Sequence, residues 1–298
     1  MDARYLQKIE GMKRTIHIAF ADFAVNWGPW PDPVKYFKEL LSEEYDVHVV
    51  SSDFGCRKID GYVVDLVICS HPGTEHENFH CPKVYFPGEP NLLNLESYQY
   101  AITHHFSDDS RQYRLPLYAL YGDVDRLVYK ESRPIPPKFC CVLFGKAYPH
   151  VETPREDFFD RLCSYKNVHS AGKYLNNMGF VITPRNKAEF IKDYKFVLSF
   201  ESCSLPGFTS EKVFEPLLMN TIPVYWGNPL VHKDFNTKSF INANEYKTLD
   251  NVIERVIELD KDEDAYLAVL REPAFVDNVV NEYVKKENLL KFFRQILE

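Results

Sequence analysis

The densest grouping of chemistry-bearing residues is FVLSFESCSLPGFTSEKVFEPLLMNTIPVYWGNP, Phe196 to Pro229. An apolar run ends at Glu201, a loop with Pro206 and Gly207 follows, and Glu211 and Lys212 open the next apolar stretch. Thr209 or Ser210 can cap a helix there, since a hydroxyl accepts a bond from the free N–H groups of a first turn. Those N–H groups and the partial positive charge of a helix N-terminus suit a phosphate. Lys212 in the first turn opposes the helix dipole unless an anion neutralises it. Glu211 could accept hydrogen bonds from ribose or sugar hydroxyls. A solvated Glu-Lys pair on a surface helix is the plainer reading of the same letters. Pro216 removes a backbone hydrogen bond, so this helix is either kinked or very short.

Two other strings spell metal chemistry. His76-Glu77-Asn78-Phe79-His80 matches H-E-x-x-H, which supplies two ligands and a general base in zinc proteases. That role needs both imidazoles on one helical face. Pro72-Gly73 precede the string and Cys81-Pro82 follow it, and proline turns the residue before it away from helix. A polar loop is expected, with His71 and Cys81 able at most to complete an incidental zinc site. Asp123-Val124-Asp125 matches D-x-D, a metal-bridging signature of one class of sugar-nucleotide transferases, and is expected to be a solvated turn.

The elements that must position these residues alternate. Strands are expected at Thr15 to Phe23, Asp46 to Val50, Asp65 to Ser70, Lys83 to Glu89 and Tyr98 to Phe106. A helix over Val34 to Tyr45 puts Val34, Phe37, Leu40 and Leu41 on one face. After the Pro-rich stretch Glu131 to Lys138, the pattern restarts: strand FCCVLF, helix REDFFDRLCSY, helix KAEFIKDY, strand KFVLSFE and strand TIPVYWG. Asn281 to Glu298 reads as an amphipathic closing helix. Short apolar strands alternating with helices indicate α/β architecture with parallel sheets, whose ligands bind at the carboxyl ends of strands. Two domains are expected, residues 1–135 and 136–298, with a cleft between them. The loop after Phe86 becomes a site candidate.

The chain of 298 residues is 45% apolar and 26% charged, as suits a soluble globular protein with a full core. A net charge of -8 argues against nucleic-acid binding, so an anionic substrate would need a local basic pocket. The seven cysteines follow no framework spacing and read as reduced thiols of a cytoplasmic protein. The sequence has no secretory signal and no apolar run long enough to span a bilayer. The closing helix would dock on the core or lie on the inner face of a membrane.

The segment from Phe196 resembles the α-1,3-fucosyltransferase family of bacteria and eukaryotes, glycosyltransferase family 10, of the Helicobacter type. That family's motif runs F-E-N, a short loop, Y-x-T-E-K, an apolar helix and (V/I)-P-(V/I)-Y-W-G; here stand FES, FTSEK and TIPVYWG in the same order. KVYFPGEPN is similar to the family's F-x-x-G-E-N stretch, REDFFDRL to its R-x-x-F-x-x-L helix and KYLNNMG to its N-N-x-G stretch. YAITHHFSDDSRQYRLPLY is similar to its Y-A-I-G-F and R-Y-x-R-x-P-x-Y segment. Resemblance runs from about Ile16 to Tyr246. Phe208 stands where the family has Tyr, Ser210 where it has Thr, and Ser202 and Pro90 where it has Asn.

The resemblance implies a GT-B fold of two Rossmann-like domains, the first binding acceptor and the second GDP-fucose. It implies an inverting transferase that moves L-fucose from GDP-β-L-fucose to the 3-hydroxyl of GlcNAc in N-acetyllactosamine-type glycans. The product would be of Lewis X type, carried on lipopolysaccharide in a bacterium. It puts Glu89 at the catalytic base and Arg155, Glu201, Ser202, Phe208, Ser210, Glu211 and Lys212 around the donor, with Asn176 and Asn177 supporting. Arg155 and Lys212 would stabilise the leaving diphosphate. Glu201 and Glu211 would hold sugar and ribose hydroxyls or balance that basic pair. No metal is required in this scheme, although Mn or Mg could stimulate it. Two other functions compete: a non-catalytic GDP-sugar or glycan-binding protein of the same fold, and a zinc metallohydrolase built on HENFH.

Overall fold

The computed structural model describes residues 13–23, 32–51, 63–70, 73–90, 95, 98–128, 134–147, 151 and 153–298. The chain divides into two compact units, one reaching to Leu115 and taking up Lys285–Glu298, the other Pro116–Val284. Each is α/β with a single parallel sheet, as the alternating pattern predicts.

The first sheet holds β1 (Thr15–Ala21), β2 (Asp46–Ser51), β3 (Leu66–Cys69), β4 (Lys83–Tyr85), β5 (Tyr100–Thr103) and β6 (Gln112–Arg114) in the order β2-β1-β3-β4-β5-β6. Every residue of LVIC in β3 is buried, as expected of a parallel strand covered on both faces. Helix α1 (Pro33–Leu41) starts on Asp32, whose side chain accepts from the Lys35 N–H, and Pro33 at N1 needs no donor. The expected face of α1 is buried through Phe37, Leu40 and Leu41.

The second sheet holds β7 (Lys138–Val142), β8 (Val168–Ser170), β9 (Tyr194–Phe200), β10 (Ile222–Trp226) and β11 (Ile241–Asn242) in the order β11-β10-β9-β7-β8. Its helices are α2 (Arg155–Tyr165), α3 (Lys187–Ile191), α4 (Glu211–Leu218), α5 (Leu249–Lys261) and α6 (Glu263–Arg271). The core gathers Phe158, Phe196, Phe200, Val224 and Val256, all fully buried.

The closing helix α7 (Lys286–Leu297) departs from the sequence reading, which gave it to the second domain. It belongs to the first unit, beside α1. Phe293 meets Phe37 edge to face at 5.9 Å, Lys286 pairs with Glu43 at 3.3 Å, and Arg294 pairs with Glu44 at 3.2 Å. Leu289, Leu290, Phe292, Phe293, Ile296 and Leu297 are all buried there, so the apolar face imagined on a membrane is already covered. Among the described residues no helix is long and apolar enough to cross a membrane. The contacts divide the chain at Leu115/Pro116, where the sequence reading put the boundary at 135/136. The Pro-rich stretch taken as a linker lies partly outside the described residues.

Candidate functional site

From β7 the chain moves to β8 on one side and then crosses to β9 on the other. The strand order therefore reverses between β7 and β9, and ligands of open parallel sheets bind at the carboxyl ends there. The residues following β7 and β9 are those singled out in the sequence.

Glu201 leaves the end of β9 with its N–H bonded to the Trp226 carbonyl at 2.8 Å, and it is fully buried. The Ser210 N–H donates to Glu201 Oε1 at 2.8 Å, and the Ser210 hydroxyl lies 2.9 and 2.7 Å from the two carboxylate oxygens. Lys212 Nζ sits 3.2 Å from Glu201 Oε2, 3.4 Å from Glu211 Oε1 and 3.1 Å from Ser210 Oγ. Ser210 is the N-cap of α4, its hydroxyl accepting from the Lys212 N–H. Of the two capping candidates Thr209 is otherwise engaged, donating to Asp234 Oδ2 at 2.5 Å. With Pro216 inside, α4 is short rather than long and kinked, eight residues in all.

Two groups unmarked by any motif complete this network. Lys187, at the start of α3, lies 3.6 Å from Glu211 Oε1 and forms an ion pair with Glu215. Tyr121 stands near this network, and burial with the charges of Glu211 and Glu215 pushes its phenol up. Burial alone would raise the Glu211 carboxyl, but Lys212 and Lys187 overcome this and hold it at about 2. Burial would lower the Lys212 ammonium, but Glu201 and Glu211 outweigh it and move it upward. Burial raises Glu215, against the pull of Lys187. No sequence signal marks Lys187, because its pairing depends on α3 and α4 lying side by side.

Arg155 opens α2, which follows β7, and is 4% exposed. Its Nη2 donates to the Phe200 carbonyl at 2.7 Å, and its guanidinium lies 4.7 Å from the centre of the Phe144 ring. Its charge acts on Lys212, so the two cations share one field at the reversal point. Phe208 is buried and Ser202 half-buried in the loop between β9 and α4. Asn176 and Asn177 spend their amides on backbone: Asn176 bonds Gly172 and Phe180 carbonyls, and Asn177 bonds the Ser170 N–H and Val168 carbonyl. They hold the loop after β8 in shape.

Gly227 follows β10 with φ +153°, and a Cβ there would fall 2.4 Å from Glu201 Cγ. Only glycine lets the backbone pass so close to the buried carboxylate. The final Gly of TIPVYWG was the available signal.

Glu89 belongs to the other unit. It is exposed, after β4, in a turn where Gly88 has φ +62° and the Phe86 N–H bonds the Cys69 carbonyl at 2.7 Å. The strand end thus presents it at the carboxyl edge of the first sheet.

The metal strings resolve otherwise. Glu75–Asn78 form a short 3-10 turn, with His76 buried and His80 exposed, so the two imidazoles do not converge. His76 Nδ1 is 2.5 Å from Asp22 Oδ2, and Asp22 also accepts from the Glu75 and His76 N–H groups. The zinc-hydrolase alternative loses its ligand pair, and His71 lies outside the described residues. Asp123 accepts from the Asp125 N–H and starts a 3-10 turn at Val124, so D-x-D is a capped turn. Among the described residues no group of three metal-ligating side chains gathers.

Two family models match the chain. "Glycosyltransferase family 10 (fucosyltransferase) C-term" covers residues 138–282, and "Alpha-(1,3)-fucosyltransferase FucT N-terminal domain" covers residues 18–121. The alpha-(1,3)-fucosyltransferase FucT of Helicobacter pylori is 29% identical over 92% of this chain and 65% of its own length. A human GDP-fucose protein O-fucosyltransferase 3 is 26% identical over 47% of this chain and 30% of its own length. The chain thus spans less than two thirds of the curated relatives it matches. A crystal structure of an alpha1,3-fucosyltransferase with GDP-fucose superimposes with TM-score 0.77 and 26% identity, covering 96% of this chain and 91% of that one. That likeness identifies the two parallel-sheet units as a GT-B type fold. With fucosyltransferase models over residues 18–121 and 138–282, the chain belongs to glycosyltransferase family 10, the fucosyltransferases.

Proposed function

We propose that the chain is an inverting α-1,3-fucosyltransferase. It transfers L-fucose from GDP-β-L-fucose to the 3-hydroxyl of GlcNAc in N-acetyllactosamine-type glycans. The product is of Lewis X type, with lipopolysaccharide as the carrier in a bacterium. The observation that carries this reading is the cation pair Arg155 and Lys212 at the strand-order reversal, with the α4 N-terminus beside it.

Inversion needs a nucleophile on the face opposite the leaving GDP. A sugar hydroxyl is a weak nucleophile, and a positioned carboxylate improves it by taking its proton. Glu89 is that base. It is exposed at a strand end. As the glycosidic bond breaks, charge grows on the anomeric carbon and on the diphosphate. Arg155 and Lys212 stabilise the diphosphate, and their fixed placement avoids reorganisation during the reaction.

Glu211, kept ionised by Lys212 and Lys187, accepts from donor hydroxyls. Glu201 is buried behind Ser210 and Lys212 and acts on the donor through them. Ser202 and Phe208 lie in the donor loop in place of the family's Asn and Tyr. The scheme neutralises the diphosphate without a metal, and Mn or Mg could add to it. A cytoplasmic setting fits the buried thiols Cys69, Cys140 and Cys141.

The likeness to protein O-fucosyltransferases over 47% of the chain favours one second reading, a protein rather than a free glycan acceptor. One experiment separates these. GDP release from GDP-fucose is followed with N-acetyllactosamine, with a folded protein acceptor or with neither, in and out of EDTA, and product masses are recorded. Acceptor-dependent release that adds one fucose and survives EDTA is expected. Donor binding without release for any acceptor would instead make the chain a GDP-sugar-binding protein.

A further inference from the structure

The first unit has a cavity at the sheet edge opposite to Glu89. It measures about 770 Å³ and is lined by Phe79, His80, Lys83, Gln99, Tyr100 and Arg111, among others. Lys83 is the first residue of β4 and Tyr100 the first of β5, while Arg111 immediately precedes β6. All three strands are parallel, so the cavity marks their amino ends, whereas Glu89 follows the carboxyl end of β4. Glu89 is six positions after Lys83, past the other end of β4. The cavity is therefore separate from the base, and it lies in the unit that does not carry Arg155 and Lys212.

Its lining has a definite chemistry. Among the described residues no carboxylate lines it, although the chain as a whole carries a net charge of -8. Lys83 Nζ rests on two backbone carbonyls, those of Phe79 at 2.8 Å and Cys81 at 3.4 Å. Among the described residues no carboxylate offsets its charge in an ion pair. Arg111 is held by Asp109 in a fork, at 3.1 and 2.6 Å. The Arg-Asp pair nearly cancels, so the local excess is close to a single positive charge. That matches one carboxylate and falls short of a diphosphate, and among the described residues no helix N-terminus lines the cavity to make up the difference. Phe79 and Tyr100 offer ring surface, and Gln99 offers an amide whose Oε1 already accepts from the Lys83 N–H at 3.1 Å. Its NH₂ group can donate to a hydroxyl. Ring surface for C–H faces, donors for hydroxyls and one net positive charge together describe a sugar with an acid group.

We propose that this cavity is an accessory binding site for a monoanionic saccharide, a glycan carrying one carboxylate, distinct from the donor and acceptor positions of the transfer reaction. Lys83 supplies the charge, Phe79 and Tyr100 the stacking surface, and Gln99 a hydroxyl contact.

The test is calorimetric titration of the full chain, without GDP-fucose, so that it stands apart from the transfer reaction. The probes are 3′-sialyl-N-acetyllactosamine, neutral N-acetyllactosamine, GDP and inorganic phosphate. The variants are Lys83→Met and Arg111→Glu, with near-ultraviolet circular dichroism to confirm folding. The second change is at an exposed residue, so it tests the site even if the first perturbs the loop. The sialylated sugar is expected to bind wild type more tightly than its neutral parent. Lys83→Met should weaken it by about tenfold, the size of losing one charge-assisted contact, and Arg111→Glu, which puts two negative charges where a neutral pair stood, by a similar factor. Saturating GDP should leave its affinity unchanged. Equal affinity for the two sugars would overturn the proposal. So would an unchanged affinity in folded Arg111→Glu, or displacement of the sugar by GDP or by phosphate alone.

Discussion

Replacing Lys212 by Met removes one cation from two places at once, and the structure separates the consequences. The ammonium lies 3.2 Å from a carboxylate, Glu201, that has no exposed surface. At an effective dielectric of 20 the direct attraction at that distance is about 5 kcal/mol, before desolvation is subtracted. Removing one partner of a buried pair costs ~3–5 kcal/mol, because the other charge stays buried. The Lys212 side chain is 29% exposed, so water already screens part of the pair, and the expected loss is about 3 kcal/mol, the lower end of that range. Urea unfolding measures it.

The double variant Lys212→Met with Glu201→Gln removes the stranded charge while an amide oxygen still accepts from Ser210. Stability should recover, with a coupling of at least ~1 kcal/mol between the two positions. GDP affinity should behave differently. Losing a point charge from the diphosphate costs about tenfold or more, and the second substitution cannot restore it. Titration with GDP across the four proteins decides the matter. Strictly additive stability effects would refute the assigned pairing. A double variant that regains both stability and GDP affinity would refute the donor role of Lys212.

Other outcomes follow from the same geometry. Glu89→Gln should leave GDP affinity intact and slow transfer by ~10²–10⁴, the usual worth of a general base, measured as product per enzyme at saturating donor. Glu211 is held at about 2 against an ordinary 4.5, so its folded form is the stronger acid. The stability it contributes should be whole above about pH 4.5 and fade as pH falls toward 2. Wild type and Glu211→Gln should then differ in urea midpoint at pH 6, with the gap clearly narrower at pH 3. Gly227→Ala places a Cβ against Glu201 on a strained backbone, and should lower stability by ~1–3 kcal/mol and weaken GDP binding. Thermal melts with and without GDP would show both.

Much of the fold was legible because burial leaves a period. The fully apolar LVIC could only be a covered strand, and Phe37, Leu40 and Leu41 marked one face of a helix. The strands Gln112–Arg114 and Val168–Ser170 were missed because three polar-rich residues carry no period to read. Helices Leu249–Lys261 and Glu263–Arg271 lie in a stretch without chemistry-bearing motifs and bury one face each, Val252, Ile253, Val256 and Leu259 on the first and Tyr266 and Leu270 on the second. In the candidate site, Ser210 announced itself as a cap, and Glu211 and Lys212 as a first turn. Lys187 and Tyr121 were invisible because their meeting with Glu211 is tertiary. The burial of Glu201 was not readable either, since a glutamate after a strand is ordinarily solvated.

The helix α7 has a consequence in time. Its partner Phe37 on α1 leaves the ribosome early, yet Phe293 is made hundreds of residues later. At ~5–20 residues per second the apolar face of α1 waits on the order of tens of seconds for its cover. The unit formed by Pro116–Val284 is continuous in sequence and can finish first. The unit that begins the chain is thus the last to close its core, and during that interval it is the stretch that a chaperone would hold.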